Sequence, residues 1–323
     1  MTDLTEEDLT ITDDGQAQRI QQFSKASGQP LTLGLLVDTN PGQRSVLGDE
    51  RTASRSFVDQ ILRAGLDKGF VIHFDHEVEL LQDLTASHAK LEQSIDGLNI
   101  TQFVRASGGN SGNPADDDDS QTSRRGSRRW RLRSFGGAQL YDAIYLASNE
   151  LMVAQRGRKV VIVLSGGVDR GSKESLPSAI EAAQRANTTV YAIFVKNERE
   201  NRSGEQGGRT RGGWGIPGMG GPTGGPGMGR HGGRGQPQTD LPDGKRILEQ
   251  ISNETGGQML EASKKLTIDQ IYSLIEDQLH NQYAVDYTRG REAETAGLHK
   301  LQVTAKKKDV IVFAPAAYYS DTR

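Results

Sequence analysis

The chain has 323 residues, of which 34% are hydrophobic and 25% are charged, and its formal net charge is -3. This length accommodates about one to three domains, and so small a net charge gives no global attraction to nucleic acid or membranes. The absence of cysteine excludes disulfide bonds and thiolate metal sites. No apolar run approaches the roughly 20 residues that span a bilayer, so we expect a soluble chain. Residues 1–8 are acidic and lack a signal sequence, and a signal peptide or anchor trimmed from the chain stays open as an alternative.

The first predicted element is a β-hairpin. Residues 9–12 and 19–23 alternate between apolar and polar side chains, and Asp13, Asp14 and Gly15 between them can supply positive φ angles. Two alternating runs around such a turn are typical of paired antiparallel strands.

The central strand is predicted at residues 31–37, which are almost continuously apolar and are followed by Asp38-Thr-Asn-Pro-Gly42. A short run of this kind is typical of a parallel strand buried on both faces. Asp38 then falls just past the carboxyl end of the strand, where open α/β sheets bind their ligands. A helix is predicted next, because Phe57, Ile61, Leu62 and Leu66 recur at three-to-four spacing.

The remaining pattern alternates strands with helices, which predicts βαβ units and a largely parallel sheet. Residues 78–81 are predicted to form an antiparallel edge strand, and Ser87 is predicted to cap the helix that follows. The amphipathic strands near the two chain ends are predicted to pack together as a small β subdomain. Further strands are predicted at residues 70–74, 159–164, 189–194, 258–260, 282–287, 298–306 and 310–313, and further helices at 140–152, 180–186, 245–254 and 268–279.

Two insertions interrupt this pattern. Residues 106–133 pass from Ser and Gly through Asp116 to Asp119 into an arginine-rich run, and sixteen of the forty residues at 201–240 are glycine. Segments with so little apolar surface cannot offset the entropy of ordering, so both are predicted to be disordered.

Four stretches resemble the bacterial branch of the von Willebrand factor type A (VWA) family, common in secreted or cell-envelope proteins of certain soil bacteria. Outside the insertions, the resemblance covers nearly the whole chain, including residues 4–20, 282–287 and 299–319. The four stretches are Leu33-Gly-Leu-Leu-Val-Asp-Thr39, Phe74-Asp75 with residues 77–85, Gly136-Gly-Ala-Gln-Leu-Tyr-Asp-Ala143, and residues 157–172 around Ser165-Gly166-Gly167.

The resemblance implies a Rossmann-like three-layer fold: a mostly parallel sheet with one antiparallel edge strand and helices on both faces. It divides the chain into an N-terminal β segment at 1–28, a VWA domain at 29–287 that contains both insertions, and a C-terminal β segment at 288–323. It also implies a secreted or cell-envelope, periplasmic location.

The family's usual magnesium site combines an Asp-x-Ser-x-Ser loop with a Thr and an Asp on two further loops. The matching positions here are Asp38, Asn40, Gly42, Ala138 and Gly166, and only Asp38 is the family's residue. Magnesium requires near-octahedral oxygen ligation at about 2.0–2.1 Å, whereas glycine and alanine side chains offer no oxygen. We therefore expect no tight magnesium binding and no cofactor, with Asp38 and Asn40 as weak metal candidates. We also expect backbone N–H groups to donate to Asp38 and keep it ionised.

The other candidate sites favour structural roles. His73 and Asp75 share one face of a strand while His76 points to the other, and no second histidine cluster accompanies them. No dinucleotide-binding or phosphate-loop motif joins a strand to a helix. Ser165 and Ser172 lack a Gly-x-Ser-x-Gly elbow, so we predict that the chain is not an enzyme.

We predict a non-enzymatic, adhesion-type module that binds an unknown protein through the carboxyl end of its sheet. In one alternative, the chain is a scaffold whose contacts are made by the loops or the β subdomain. In another, Arg124–Arg133 with Trp130 and Arg209–Arg234 with Trp214 bind a polyanion such as RNA. The predicted partner-binding residues are Asp38, Thr39, Asn40, Gly42, Ala138, Gln139 and Gly166.

Overall fold

The computed structural model of the protein describes residues 4–44, 46–99, 138–196, 243–288 and 296–320. The predicted insertions at 106–133 and 201–240 lie outside these residues. The strands are β1 Leu9–Asp13, β2 Gln16–Gln18, β3 Ile20–Lys25, β4 Leu31–Asp38, β5 Lys68–Phe74, β6 Val78–Thr85, β7 Arg158–Ser165, β8 Thr189–Phe194, β9 Met259–Glu261, β10 Tyr283–Tyr287, β11 Gly297–Ala305 and β12 Ala317–Ser320. The helices are α1 Leu47–Ile61, α2 His88–Asp96, α3 Leu140–Leu146, α4 Leu176–Arg185, α5 Gly244–Thr255 and α6 Ile268–His280. A π-helical stretch, Ala147–Met152, continues α3.

The body of the protein is a six-stranded sheet with the order β6-β5-β4-β7-β8-β9. Five strands run parallel to one another: β5, β4, β7, β8 and β9. The sixth, β6, pairs antiparallel with β5 at one edge. The predicted fold class, a mostly parallel sheet with one antiparallel edge strand, is confirmed. Because the parallel strands end on the same side, the residues that follow β4, β5 and β7 meet at one end of the sheet, here called the carboxyl end.

Helices cover both faces of the sheet and form three layers. One core cluster joins the sheet to α1, α2 and α6, and the second joins it to α3, α4 and α5. Alternate residues of β4 enter different clusters, since Leu35 and Val37 face one layer while Leu36 faces the other. Gly34 leaves room for the Phe70 ring, because a Cβ at position 34 would lie 2.4 Å from that ring.

The two chain ends pair with each other, as predicted. β1 lies antiparallel to β11, with Leu9 opposite Ala305, within the sheet β12-β11-β1-β2. β3 pairs antiparallel with β10 in a separate two-stranded sheet. The domain boundaries at residues 28 and 288 stay predictions.

The predicted hairpin is wrong in its second arm. β1 turns back through Asp14 and Gly15, with φ angles of 49° and 81°, but it pairs with the short β2 rather than with residues 19–23. Those residues belong to β3, whose partner is β10. Alternating side chains indicate a strand without specifying its partner, and the partner here is distant in sequence.

Two further boundaries differ from the prediction. Residues 310–313 form no strand, and Ile311 is 80% exposed, while the unpredicted β12 pairs with β11. α1 ends at Ile61, so Leu62 caps it and Leu66 lies beyond it, exposed. Within the described part of the chain, no helix is long and apolar enough to cross a bilayer.

Candidate binding site at the carboxyl end of the sheet

Three loops that were predicted to meet are joined by hydrogen bonds at the carboxyl end. Ser165 at the end of β7 donates to Asp38 at the end of β4. Ala138 accepts from the backbone N–H of Arg170 at 3.0 Å, and Gln139 donates its backbone N–H to the carbonyl of Asp75 at 2.6 Å. The loops after β4, β5 and β7 and the start of α3 therefore form one connected surface.

The Asp38 carboxylate accepts hydrogen bonds on both of its oxygens. Its Oδ2 accepts from the Ser165 hydroxyl at 2.7 Å, and its Oδ1 accepts from the backbone N–H of Asn40 at 3.1 Å. The Asn40 side-chain amide and the backbone N–H of Gly166 donate as well. Ser165 was not predicted as a partner of Asp38. Its position at the end of a neighbouring predicted strand could have indicated that the two side chains lie close together.

Asn40 shapes the loop that follows β4. Its Oδ1 accepts from the backbone N–H of Gly42 at 2.7 Å and caps a 3₁₀ turn, Pro41–Gln43. Its amide nitrogen faces Asp38. The amide oxygen that was considered for a metal is therefore directed at the protein's own backbone.

Burial changes the expected ionisation of Asp38. The side chain is 1% exposed, and this burial raises the pKa of Asp38 to about 6, although the hydrogen bonds from Ser165 and Asn40 lower it. Backbone N–H groups donate to Asp38 as expected and favour its ionised form, but desolvation is the larger effect on its pKa. At neutral pH the group is mostly ionised.

The predicted partner-binding residues differ in accessibility. Asn40, Gly42 and Gln139 are partly exposed. The other four are buried; these are Asp38, Thr39, Ala138 and Gly166. Arg44 and Arg170 are exposed beside them and were missed by the sequence analysis.

A hydroxyl, an imidazole and a carboxylate lie in line next to Asp38. Thr39 Oγ1 is 3.1 Å from His73 Nδ1, and His73 Nε2 is 2.9 Å from Glu79 Oε2. Such a series resembles an activated nucleophile, but Thr39 is 0% exposed, so no substrate reaches its hydroxyl. The contacts link the central strand to the edge strand β6.

His73, Asp75 and His76 do not converge on one point. His73 is directed at Thr39 and Glu79, whereas His76 Nδ1 lies 2.8 Å from Asp75 Oδ1. Among the described residues, the group whose ligand atoms lie within 4.8 Å of one another is Asp13, Asp14 and His299. That group lies in the β subdomain, where the Tyr287 and Tyr318 hydroxyls donate to Asp13.

The start of α5 packs directly against the loop after β7. A Cβ on Gly167, whose φ is +72°, would lie 2.0 Å from the carbonyl oxygen of Gly244. Only glycine accommodates both that backbone conformation and that approach. The pair explains the Ser-Gly-Gly sequence at 165–167, and Gly244 was missed because its partner is distant in sequence.

Comparison with known proteins finds similarity in structure but not in sequence. No protein-family model matches the sequence, and no curated protein is similar to it. Proximal thread matrix protein 1 from the mussel byssus is 13% identical, with 82% of this chain and 49% of that chain covered and a TM-score of 0.49. A von Willebrand factor type A protein from Catenulispora acidiphila is 10% identical, with 84% and 50% covered and a TM-score of 0.48. The chain thus spans about half the length of these two proteins.

BatB from Bacteroides thetaiotaomicron is 15% identical, with 77% of this chain and 97% of that chain covered and a TM-score of 0.46. TM-scores this low do not establish a common fold. The fold is defined instead by the chain's own strand order and by its antiparallel edge strand β6. The layers of helices and the meeting of the three loops agree with that assignment. The chain has the fold of a von Willebrand factor type A domain.

Proposed function

We propose that the chain is a non-enzymatic, adhesion-type module that binds another protein through the carboxyl end of its sheet without a metal ion. The observation that carries this proposal is the hydrogen bonding of Asp38, whose two oxygens accept from Ser165 and Asn40. These bonds support the proposal because both oxygens of the carboxylate are already engaged by protein donors.

The donor set supports metal-independent binding. A magnesium ion would have to displace the donors on Asp38, and Gly42, Ala138 and Gly166 supply no side-chain oxygen in return. Magnesium gives up its water reluctantly and requires six oxygens in a strict geometry. A single buried carboxylate does not meet that requirement. The residues present therefore do not fit the family's ion.

The exposed residues define the proposed contact surface. Asn40, Gly42 and Gln139 are partly exposed, and the exposed residues Arg44 and Arg170 lie on the loops after β4 and β7. Two positive charges at the rim favour a partner that presents acidic side chains, because complementary charge raises association rates and selects partners. The non-enzymatic part of the proposal is supported by the burial of Thr39.

The test compares capture of partners by four forms of the protein. The wild type is immobilised and exposed to an envelope extract from its own source, in magnesium and in EDTA. Gln139→Arg and Arg170→Glu alter the proposed surface, and Gln60→Arg on the exposed side of α1 is the matched control. We expect one set of partners that persists in EDTA, is lost in both surface variants and is retained by the control.

Three results would contradict the proposal. Loss of capture in EDTA would indicate a metal-dependent contact. Capture that survives both surface variants would favour the scaffold alternative. Binding that falls steeply with salt and is competed by RNA or heparin would favour polyanion binding through the arginine-rich segments.

We also propose a secreted or cell-envelope location, which is supported by the sequence resemblance alone. The check is fractionation of the producing cells followed by detection of the protein with an antibody. Recovery with cytosolic markers would contradict this location.

A further inference from the structure

The inward face of α1 and of the turn before it changes from polar to apolar along its length. Leu47, Glu50 and Ser54 are buried on one side of α1, and Gln43 is buried at the end of the 3₁₀ turn that precedes the helix. The stripe continues with Phe57, Val58 and Ile61, which are apolar and lie in the core. Two long polar side chains, Gln43 and Glu50, therefore face the protein interior near the start of the helix.

Neither of these two side chains has a hydrogen-bond partner among the described residues. Both atoms of the Gln43 amide and both oxygens of the Glu50 carboxylate are buried and unpartnered, and each residue is 0% exposed. Buried polar groups in native proteins are nearly always bonded to protein, water or an ion, since an unpaired group is costly. Four such atoms near the start of α1 make this part of the interior a candidate ligand site.

The charged groups that act on Glu50 form no hydrogen bond with its carboxylate. Asp38 is negative and lies close enough to raise the pKa of Glu50, although burial is the larger cause. Arg51 is the positive group that acts on Glu50, yet its guanidinium donates to the carbonyls of Asp96 and Leu98. The Tyr272 hydroxyl beyond Glu50 is bonded to Ser54 at 2.8 Å. Arg51 therefore favours the ionised form of Glu50 at a distance, and no described side chain forms a hydrogen bond with the carboxylate.

We propose that the Glu50 carboxylate and the Gln43 amide oxygen hold a monovalent alkali cation, sodium or potassium, inside the protein. Carboxylate and amide oxygens are hard ligands that suit such ions. One carboxylate matches one positive charge. Because Asp38 already accepts its own hydrogen bonds, it supplies only a nearby negative charge. Gln43 belongs to the turn that Asn40 caps, but the proposed site makes no use of Asn40, Ala138 or Gly166 as ligands.

The first test is thermal unfolding at constant ionic strength. The full-length protein is exchanged into choline chloride, which then is replaced stepwise by sodium chloride or potassium chloride. At about one hundred times the dissociation constant, we expect the Tm to rise by about 5 °C. Glu50→Gln should abolish this rise without lowering the Tm in choline, because without a cation the raised pKa of Glu50 already favours a neutral side chain, which the amide resembles. Gln43→Leu should weaken the response about tenfold or more, and Ser56→Ala on the outer face of α1 should retain it.

The second test locates the ion directly. Crystals grown in rubidium or thallium(I) salts should give an anomalous peak within coordination distance of the Glu50 oxygens. Three results would overturn the proposal: a Tm indifferent to both alkali ions, a response unchanged in Glu50→Gln, or a response to magnesium or calcium alone. EDTA does not remove alkali ions, so failure here is distinguishable from failure of the metal-independent partner binding.

Discussion

The Ser165 hydroxyl donates to Asp38 Oδ2 at 2.7 Å, and this bond joins the ends of the two central strands, β4 and β7. The same hydroxyl accepts from the backbone N–H of Gly167 at 3.0 Å. Ser165 thus connects the central carboxylate to the loop that packs against α5. A side chain with no assigned role in the sequence analysis therefore has a central place in the site.

Replacing Ser165 with alanine should destabilise the protein by about 1–3 kcal/mol, since it leaves a buried carboxylate oxygen and a backbone N–H without their partner. The measurement is urea unfolding at pH 7. Ser56→Ala, which changes an exposed serine on α1, should stay within about 0.5 kcal/mol of the wild type. Equal stability of the two variants would contradict the importance of the Asp38–Ser165 bond.

The raised pKa of Asp38 predicts a pH dependence of stability. The unfolded aspartate ionises near pH 3.8, whereas the folded one stays protonated to about pH 6. Between these values the folded state binds more protons, so the free energy of unfolding should fall as pH rises from about 4 to 6. The fall amounts to at most about 3 kcal/mol from this group.

Asp38→Asn removes this titration and should flatten that part of the pH profile. Unfolding in urea at several pH values gives the profile, and carbon-13 chemical shifts of the carboxylate give the pKa itself. A measured pKa below about 4 in the folded protein would show that hydrogen bonding outweighs desolvation at this position.

Gly167→Ala should be strongly destabilising, by about 2–4 kcal/mol, because the methyl group would collide with the Gly244 carbonyl and the backbone has φ +72°. Gly48→Ala is the matched control: nothing lies within 4 Å of a Cβ there, and alanine is the better helix former. We expect the control to be neutral or slightly stabilising in the same thermal unfolding assay.

Asp67→Ala should cost about 2–4 kcal/mol, because the carboxylate is 1% exposed and accepts from three directions around the start of β4. It binds the backbone N–H of Leu31 at 2.7 Å and both the backbone N–H and the guanidinium of Arg63. Arg63 in turn donates to the carbonyls of Ser27 and Gln29. Asp59→Ala, on the exposed side of α1, should change stability by less than 1 kcal/mol.

The long-range architecture was predictable where local patterns are strong. The apolar run at 31–37 and the apolar strands near residues 70 and 160 specify buried parallel strands, and the structure contains them as β4, β5 and β7. Strand pairing in the β subdomain was less predictable. β3 pairs with β10, which is far away in sequence, and no local pattern specifies which strand will be the partner of β3.

The site was predictable in outline and not in its detail. The loops around Asp38, Ala138 and Gly166 meet as the resemblance implies, since the ends of neighbouring parallel strands must lie together. The hydrogen-bond network, the burial of Asp38 and the contact between Gly167 and Gly244 depend on distances of tenths of an ångström, which residue types alone do not convey. Glu50 had a usable signal, because it is a polar residue that interrupts the apolar face of α1.

The pairing of β1 with β11 has a consequence for synthesis of the protein. At ribosomal rates of roughly 5–20 residues per second, tens of seconds separate the emergence of these two strands. During that interval β1 offers its open backbone groups to any neighbouring nascent chain. Pairing of β1 with β11 therefore cannot begin until β11 has left the ribosome, and a translation pause before β11 would prolong the period in which β1 lacks this partner.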